Sequence, residues 1–385
     1  MYSYEQIRHV HLEPTTRCNA SCPMCARNTR GVTAPGLRLS ELGLTDVRAI
    51  FPEAFLAQTT GFDLCGAYGD PALASQLVEI VAYVRSASPR CMITVYSNGG
   101  VQTQAWWERL AAALGEPARV VFAIDGIGET NAIYRRGVKF EKVMDNARAF
   151  IAAGGAARWE FLAFRHNEHE IESARELSRE MGFEQFSVKK TDRFLQPTYE
   201  YVPEYREHQD LERFPVFDGK GAVVSYLEPP KNPDLVNKTT LNRRDLLERF
   251  GTLDALFAAT AIQCRVLNTS SVFVSAQGYV FPCCWTYVQA TRPSLCEFPE
   301  TADRQIQQLV EATGGFDRID ARRVGLAAAV DSPLFRAIEA GFSCGASANR
   351  LKVCARACGN DFPAYFDQFS DVQLQPRSLR VLQSA

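Results

Sequence analysis

The first half of the chain alternates short apolar runs with longer amphipathic stretches. The short runs are rich in β-branched and aromatic residues, and they predict strands over residues 9–12, 61–64, 91–96, 119–124, 159–164 and 186–190. Between them, apolar residues recur at helical spacing, most clearly over residues 71–86, 139–153 and 168–181. Repeated strand–helix units of this length predict a parallel sheet with helices packed on its outside.

The second half is organised differently. Residues 197–233 are rich in Pro, Tyr and charge, and they predict a long connection across one side of the first unit. Residues 272–283 predict a β-hairpin whose turn is Gln277-Gly278. We therefore expect a first domain over residues 1–196, a connecting segment over 197–250 and a smaller α+β domain over 251–385.

Composition narrows the class of protein. The chain has 385 residues and a net charge of −2, so bulk charge gives no attraction to nucleic acid or to anionic membranes. No apolar stretch reaches bilayer length, and the N-terminal residues lack the pattern of a secretion signal. Twelve cysteines without an export signal favour metal or cluster ligation over disulfides, because the cytosol keeps thiols reduced. We expect a cytoplasmic protein with no nucleic-acid or membrane partner.

Three of the cysteines lie within eight residues, directly after the first predicted strand. Cys18, Cys22 and Cys25 have the spacing C-x3-C-x2-C. Three thiolates can bind three irons of a [4Fe–4S] cluster and leave the fourth iron open. The alternative is a zinc knuckle, but no fourth Cys or His lies at ligand spacing in the same loop. The loop therefore indicates an iron–sulfur cluster with one open coordination position.

This motif resembles that of the radical S-adenosylmethionine (SAM) superfamily, in which the open iron coordinates SAM. The resemblance implies an α/β fold with a partial (β/α)6 TIM-like barrel, whose chemistry lies at the C-terminal ends of the strands. It also implies that an electron donor such as flavodoxin or ferredoxin reduces the cluster. SAM would then be cleaved to a 5′-deoxyadenosyl radical that abstracts hydrogen from a substrate C–H bond.

Two strand ends after the cysteines resemble segments that hold SAM in this superfamily. Residues 66–71 resemble its "GGE" motif, with Asp70 in place of Glu, and imply contacts from Gly69 and Asp70 to the SAM amino group. Ser97 and Asn98 end the next strand, where the superfamily contacts the ribose hydroxyls. Both segments are also common turn sequences, and that reading stays open.

A third strand end resembles the superfamily's "SIDG" element and places Asp125 in the site, with Ala123 replacing the usual Ser. Arg135 and Arg136 follow in a segment that resembles "YRxG", in which an arginine pairs with the SAM carboxylate. A guanidinium fork suits a carboxylate, and we expect Arg136 to take this role. The alternative is a solvated basic segment at the start of a helix.

Seven of the twelve cysteines lie in the last third of the chain. The spacing Cys264-x13-Gly278-x4-Cys283 resembles the opening of SPASM and twitch domains. The chain lacks the cysteines for two auxiliary clusters, so the resemblance is to the shorter twitch domain and implies one auxiliary [4Fe–4S] cluster. We expect its ligands to be Cys264, Cys283, Cys354 and Cys358, with Cys344 in reserve. Cys284 is adjacent to Cys283 and is expected to point the opposite way along the strand, as a packing residue. Four cysteines would equally suit a zinc ribbon, which stays the alternative.

The residues that decide the reaction are expected near the end of the last barrel strand. An auxiliary cluster would allow oxidation of the substrate by dehydrogenation or cross-linking, and either outcome needs a base. Lys189, Lys190 and Asp192 are candidates, and Arg193 is a candidate anchor for an anionic substrate group. Only one of the two lysines is expected to face the barrel, because neighbouring strand residues point to opposite faces. The alternative is that these charges end a strand in solvent.

Cys65 suggests a second reaction class. It ends a barrel strand and is not needed for either cluster, so it is a candidate hydrogen donor for an epimerase, although free cysteines are commonly buried packing residues. The first strand begins by residue 9, so we expect no fused leader-binding domain. This expectation favours a small-molecule substrate, or a peptide delivered without such a domain. A non-catalytic iron–sulfur carrier and a zinc-binding interaction protein are the remaining alternatives.

Overall fold

The computed structural model describes residues 1–194, 213–295, 303–343, 350–360 and 367–374. In chain order, the strands within these residues are β1 (His9–Leu12), β2 (Asn28–Thr29), β3 (Val32–Thr33), β4 (Gly61–Leu64), β5 (Met92–Ser97), β6 (Ala118–Ala123), β7 (Ala157–Leu162), β8 (Gln185–Lys189), β9 (Phe214–Phe217), β10 (Val223–Leu227), β11 (Ser271–Val274), β12 (Val280–Phe281) and β13 (Phe369–Leu374). The six predicted barrel strands correspond to β1 and β4–β8, and the predicted bounds of β1 and β4 are confirmed.

Helices follow most of the barrel strands. In chain order, the α-helices within the described residues are α1 (Leu44–Ile50), α2 (Glu53–Leu56), α3 (Leu77–Ala87), α4 (Gln104–Leu114), α5 (Glu129–Tyr134), α6 (Phe140–Ala152), α7 (Ile171–Met181), α8 (Lys238–Leu241), α9 (Arg243–Phe250), α10 (Leu253–Ala259), α11 (Arg265–Thr269), α12 (Cys284–Thr291), α13 (Gln305–Ala312), α14 (Ala321–Val324), α15 (Leu326–Val330), α16 (Pro333–Ser343) and α17 (Lys352–Cys358). None of the helices in this part of the chain is long and apolar enough to cross a bilayer.

One nine-stranded sheet organises the molecule, in the order β12-β11-β1-β4-β5-β6-β7-β8-β13. The strands β1, β4, β5, β6, β7 and β8 run parallel to their neighbours. With a helix after β4, β5, β6 and β7, this is the predicted α/β fold of a partial TIM-like barrel, and it brings the C-terminal ends of six strands to one edge.

Alternation along the strands separates the apolar core from a polar interior. Val10 and Leu12 of β1 are fully buried, as are Phe62 and Leu64 of β4, and they join the hydrophobic core. The intervening positions carry polar side chains, such as His9, whose Nε2 lies 2.9 Å from Asp63 Oδ2. One face of the sheet is therefore apolar, while the other carries the groups available for chemistry.

The C-terminal part of the chain covers both edges of the parallel sheet. β11 pairs in parallel with β1, and β12 turns back antiparallel to it through Gly278, whose φ of 81° suits a tight turn. At the other edge, β13 pairs antiparallel with β8. The predicted hairpin is present and continues the barrel sheet, so these late strands place C-terminal residues beside the strand ends of the barrel.

Two predicted helices begin later than expected. The helix predicted over 71–86 starts with a 3₁₀ turn over Pro71–Leu73, which Asp70 caps by accepting a hydrogen bond from Ala72 N, and α3 begins only at Leu77. The helix predicted over 168–181 likewise starts with a 3₁₀ turn over Glu168–Glu170 before α7. In both cases side-chain and loop contacts shape the first turn, and hydrophobic spacing does not report such contacts.

The predicted connection is only partly within the described residues, because 195–212 lie outside them. Its remainder forms the antiparallel hairpin of β9 and β10, followed by α8 and α9. Arg165 N donates a hydrogen bond of 3.1 Å to Glu228 O, which fastens the end of this hairpin to the loop after β7.

Candidate active site

The three N-terminal cysteines lie in a loop, residues 18–25, that we call the cluster loop. Ser21 N donates to Arg136 O at 2.9 Å, and Asn28 Nδ2 donates to Cys22 O at 3.0 Å. Cys18, Cys22 and Cys25 all line one cavity of about 350 Å³ at the C-terminal ends of the strands, which we call the main cavity. The loop therefore presents three thiols to a single space beside the barrel.

The thiols of the cluster loop are in a poor environment for bare thiolates. Burial raises the pKa of Cys18 to about 12 and also raises the pKa of Cys22. Iron would reverse this preference, since a metal stabilises the thiolate that binds it. Among the described residues, no three His, Cys, Asp or Glu side chains converge closely enough to hold a single metal ion. Three thiols that share a cavity fit a cluster that binds one thiolate per iron.

Asp70 connects two strand-end loops. The carboxylate is buried; Oδ1 accepts hydrogen bonds from Ser97 Oγ at 2.8 Å and Ala72 N at 3.0 Å, and Oδ2 accepts from Asn98 N at 2.8 Å. Asn98 Nδ2 donates in turn to Asn19 Oδ1 at 2.8 Å, within the cluster loop. The structure thus brings Asp70, Ser97 and Asn98 together beside the cysteines; their contacts to SAM stay predictions.

Glu13 supports the loop that contains Gly69, and no sequence motif indicated this residue. Its Oε1 accepts hydrogen bonds from Tyr68 N at 2.6 Å and Gly69 N at 3.2 Å. Burial raises the pKa of this carboxyl to about 7. A Cβ on Gly69 would lie 1.8 Å from Thr15 O, so only glycine fits this close approach to the chain after β1.

An ion pair forms another wall of the main cavity. Arg135 Nε lies 2.6 Å from Asp125 Oδ2, and Asp125 is fully buried. Asp125 Oδ1 also accepts a hydrogen bond of 2.7 Å from Leu162 N. Arg135 lines the main cavity, whereas Arg136 lines a different one, described below. The arginine next to Asp125 is therefore Arg135, whereas the sequence motif predicted Arg136 for the SAM carboxylate, and that role of Arg136 stays a prediction.

The predicted reaction residues Cys65, Lys189, Lys190 and Asp192 all line the main cavity. Lys189 Nζ lies 3.0 Å from Glu160 Oε2, and Lys190 Nζ lies 2.8 Å from Asp367 Oδ1. The expectation that only one lysine faces the barrel is wrong, because β8 ends at Lys189 and strand alternation no longer applies to Lys190.

The main cavity also contains Glu160 and Tyr96, which no motif had indicated. Both lie within strands, β7 and β5, at positions that the main cavity reaches. Burial raises the pKa of Tyr96 well above its ordinary value, so its hydroxyl stays protonated. Alternation within β7 was the available signal, since it places Arg158, Glu160 and Leu162 on one face.

The C-terminal cysteines line a separate space of about 50 Å³, the cysteine cavity, and its thiols are Cys264, Cys283, Cys284, Cys354 and Cys358. They come from three elements that meet in the folded chain. Cys354 and Cys358 are four residues apart on α17 and share one face of that helix. Cys264 and Cys283 occupy the N-cap positions of α11 and α12, and Gln263 N donates a hydrogen bond of 2.9 Å to Cys358 O.

Two sequence expectations concern further cysteines. Cys344, held in reserve as a ligand, lies outside the described residues. Cys284 was expected to point away from Cys283 along a strand, but α12 begins at Cys284, and this residue lines the same cavity as Cys283. The strand had ended before it, so alternation does not apply.

The main cavity and the cysteine cavity share a wall. Trp285 and Ala357 line both of them. His11 lines the cysteine cavity, and its Nε2 lies 2.8 Å from the backbone oxygen of Cys65, a residue of the main cavity. Burial lowers the pKa of His11 to about 4, so the ring is neutral at physiological pH. One layer of residues therefore separates the two groups of thiols.

Comparison with known proteins agrees with this fold. The family model of the radical SAM superfamily matches residues 12–177. The structure of Streptococcus suis SuiB bound to S-adenosylmethionine aligns with a TM-score of 0.51 at 14% identity, over 91% of this chain and 73% of that chain. Its likeness supports the fold.

Two further structures are similar at lower scores. The anSMEcpe protein with bound AdoMet has a TM-score of 0.43 at 13% identity, over 72% of this chain and 71% of that chain. BtrN in complex with AdoMet and 2-DOIA has a TM-score of 0.35 at 13% identity, over 82% of this chain and 91% of that chain. No curated protein matches the sequence.

Proposed function

Because the chain belongs to the radical SAM superfamily, we propose that it cleaves SAM reductively and abstracts hydrogen from a substrate C–H bond. We further propose that an auxiliary [4Fe–4S] cluster assists oxidation of the substrate, by dehydrogenation or cross-linking. One observation carries the first proposal: Cys18, Cys22 and Cys25 line the same cavity as the Asp125–Arg135 ion pair. That cavity offers thiols for a cluster and a guanidinium for a carboxylate.

The residues around the cluster loop would bind and orient SAM. Arg135 is anchored by Asp125, so its fork has a fixed direction, as a bidentate carboxylate contact requires. The carboxylate oxygens of Asp70 already accept hydrogen bonds from Ser97, Asn98 and Ala72. Its proposed role is therefore to hold Asn98 in place beside the ribose. When bound, the first cluster supplies the electron that cleaves SAM, and the auxiliary cluster supplies an acceptor for one electron.

Dehydrogenation also needs an acceptor for the second hydrogen as a proton. Lys190 is 8% exposed and held by Asp367, whereas Lys189 and Glu160 are more open to the main cavity. We assign proton uptake to Glu160, with Lys189 holding the carboxylate towards the substrate. Asp192, another cavity residue, is a second candidate for this role.

The cysteine cavity supports the proposal of an auxiliary cluster. Cys264, Cys283, Cys354 and Cys358 line this enclosed space, and it shares Trp285 and Ala357 with the main cavity. Four thiols around one space fit a fully ligated cluster. The substrate would be a small molecule or a peptide, and the electron donor a flavodoxin or ferredoxin of the cytoplasm.

One observation favours a second candidate function, epimerisation with Cys65 as hydrogen donor. Cys65 lines the main cavity, and burial raises the pKa of its thiol. The group is therefore a protonated S–H at physiological pH, the form that can return a hydrogen atom to a substrate radical. Solvent deuterium at the substrate carbon, lost in a Cys65→Ala variant, would identify this reaction.

The experiment that tests the proposed function is anaerobic. The protein is reconstituted with iron and sulfide, reduced with dithionite and given SAM, and 5′-deoxyadenosine is measured by chromatography. We expect 5′-deoxyadenosine from the wild type and from Cys91→Ala, since Cys91 is buried in the core and lines neither thiol cavity. Bound zinc without iron after reconstitution would overturn the proposal.

A further inference from the structure

A third cavity borders the cluster loop and is lined by several arginines. We call it the arginine cavity, and its arginines are Arg30, Arg136, Arg193, Arg292 and Arg356. None of the described residues that line it is acidic. Five guanidinium groups around one small space concentrate positive charge there, and a space lined by one sign of charge favours an anionic ligand.

Three of these arginines show how the positive charge is arranged. Arg193 donates a hydrogen bond to Met24 O of the cluster loop, which fixes its position at the inner end of the cavity. Arg136 and Arg356 form no ion pair with any residue that the structure describes. Both are half-buried, and they come from distant segments, the loop after α5 and the helix α17. Their convergence depends on the tertiary fold.

The remaining walls are apolar and partly aromatic. Phe214 and Phe217 of β9 line the cavity, together with Trp285 and Val288 of α12. A guanidinium next to aromatic rings suits an anionic group carried on an apolar body. The cavity measures about 70 Å³, which admits a carboxylate and a short apolar stem.

The arginine cavity adjoins the main cavity. Cys25, Arg193 and Trp285 line both spaces. A molecule held in the arginine cavity by its anionic end would therefore have its other end directed to the site of the cluster loop. We propose that the arginine cavity binds the carboxylate of an extended substrate, with Arg136 and Arg356 as its carboxylate ligands. This inference rests on the proposed function for the identity of the substrate. Binding of the carboxylate itself does not require SAM cleavage.

Binding can be measured with defined probes on the reconstituted protein, with SAM present and no reductant. The peptide probe is N-acetyl-Phe-Glu amide, and its neutral counterpart is N-acetyl-Phe-Gln amide; 3-phenylpropionate and its amide represent a small-molecule source. By isothermal titration calorimetry, we expect at least one acid to bind about tenfold more tightly than its amide, which corresponds to about 1.4 kcal/mol. Selective binding of the peptide acid would indicate a peptide substrate, and selective binding of the small acid a small molecule.

Variants locate the binding site. The double variant Arg136→Gln and Arg356→Gln should weaken the preferred acid by about tenfold or more, with little effect on its amide. The control is Arg148→Gln, because Arg148 is exposed on α6 and pairs with Asp145 away from every cavity described here. It should leave binding unchanged.

Equal binding of acids and amides by the wild type would overturn the inference, and that comparison needs no variant to fold. An equal loss of probe affinity in Arg148→Gln and in the double variant would also overturn the inference. The weaker binding would then come from the lower net positive charge of the protein and not from a contact in the arginine cavity. Probe binding without SAM cleavage on later reduction would instead contradict the proposed function and leave this inference standing.

Discussion

The two groups of cysteines are built in opposite ways. Cys18, Cys22 and Cys25 come from one loop of eight residues after β1. Cys264, Cys283, Cys354 and Cys358 come from three separate elements that meet only in the folded chain. A local loop can keep its spacing in any context, whereas the second set exists only if α17 packs beside the starts of α11 and α12. The first site is thus encoded locally and the second by tertiary structure.

The cavities beside the two groups of cysteines also differ, in volume and in the charged residues that line them. The cluster loop opens into a cavity of about 350 Å³ that contains Asp70, Asp125 and Arg135. The cysteine cavity measures about 50 Å³. Space and charge beside the first group suit a cluster that must also bind a polar small molecule, while the second group suits a cluster enclosed by protein.

The largest expected effect follows from replacing the local group. The triple variant Cys18→Ala, Cys22→Ala and Cys25→Ala should abolish SAM cleavage, because no thiolate remains in the loop to hold iron. It should still bind iron at the second site, since that site draws on other elements. Chromatography for 5′-deoxyadenosine and iron analysis of the reconstituted variant test both statements. Retained cleavage in this variant would rule out the cluster loop as the SAM site.

The next effect concerns a single residue of the distributed group. If the proposed auxiliary cluster is present, Cys283→Ala should lower the iron content by about half, because one of the two proposed [4Fe–4S] clusters would lose a ligand. SAM cleavage uncoupled from product formation should persist, since the cluster loop is unchanged. The measurement is iron and sulfide per protein after anaerobic reconstitution.

Cys284→Ala is the matched control for this variant. Cys284 is the next residue, lines the same cavity and is similarly buried, but it is not among the proposed ligands. It should keep the iron content of the wild type. Loss of iron in Cys284→Ala, with full iron in Cys283→Ala, would exchange the roles of the two residues.

The sequence was informative where structure is local. The six barrel strands, the β-hairpin around Gly278 and the cysteine loop could be predicted, because periodicity, turn residues and ligand spacing act over a few residues. The pairing of β11 with β1 and of β13 with β8 could not be predicted, since both join distant segments whose contacts leave no local pattern.

Site residues divide along the same line. Asp70, Ser97 and Asn98 could be singled out, because they end strands that meet at one edge. Glu13 and Glu160 were missed, since a carboxylate within or just after a strand resembles any other until its neighbours are known. The lysine pair was misjudged because the exact end of β8 decides which way Lys190 points, and strand ends are the least predictable part of an element.

Glu13 contacts both the loop that contains Gly69 and the hairpin turn near Ala276. Ionisation of its carboxyl should make the stability of the fold depend on pH. Burial raises the pKa of this carboxyl from 4.5 to about 7. The folded state therefore holds a proton that the unfolded state releases, so the contribution of Glu13 to stability is greatest below pH 4.5 and falls as pH rises to about 7. The ionised carboxylate costs the folded state about 3 kcal/mol.

Glu13→Gln should remove this part of the pH dependence, because an amide oxygen can still accept from Tyr68 N and Gly69 N without ionising. Urea midpoints at pH 5 and pH 8, followed by circular dichroism, should fall more for the wild type than for the variant. Glu141→Gln, an exposed change on α6, should behave like the wild type. An unchanged pH dependence in Glu13→Gln would show that Glu13 is ionised throughout this range.

The smallest expected effect separates two adjacent arginines of the local region. Arg135→Lys should keep a charge next to Asp125 but lose the guanidinium fork, so SAM affinity should fall by about tenfold. Arg136→Lys should leave SAM affinity close to that of the wild type, because Arg136 lines the arginine cavity and not the main cavity. Equilibrium binding of SAM to the reconstituted, unreduced proteins measures both.

The pair of variants is its own control, since the two changes are chemically identical and one residue apart. Iron content should be equal in both, which excludes loss of the cluster as the cause of weaker binding. If Arg136→Lys weakens SAM binding and Arg135→Lys does not, the sequence motif identifies the carboxylate ligand better than the cavity does. In that case the loop after α5 must shift when SAM binds. The surroundings of the cluster loop would then be set by ligand binding as well as by local sequence, and the contrast with the C-terminal cysteines would be smaller.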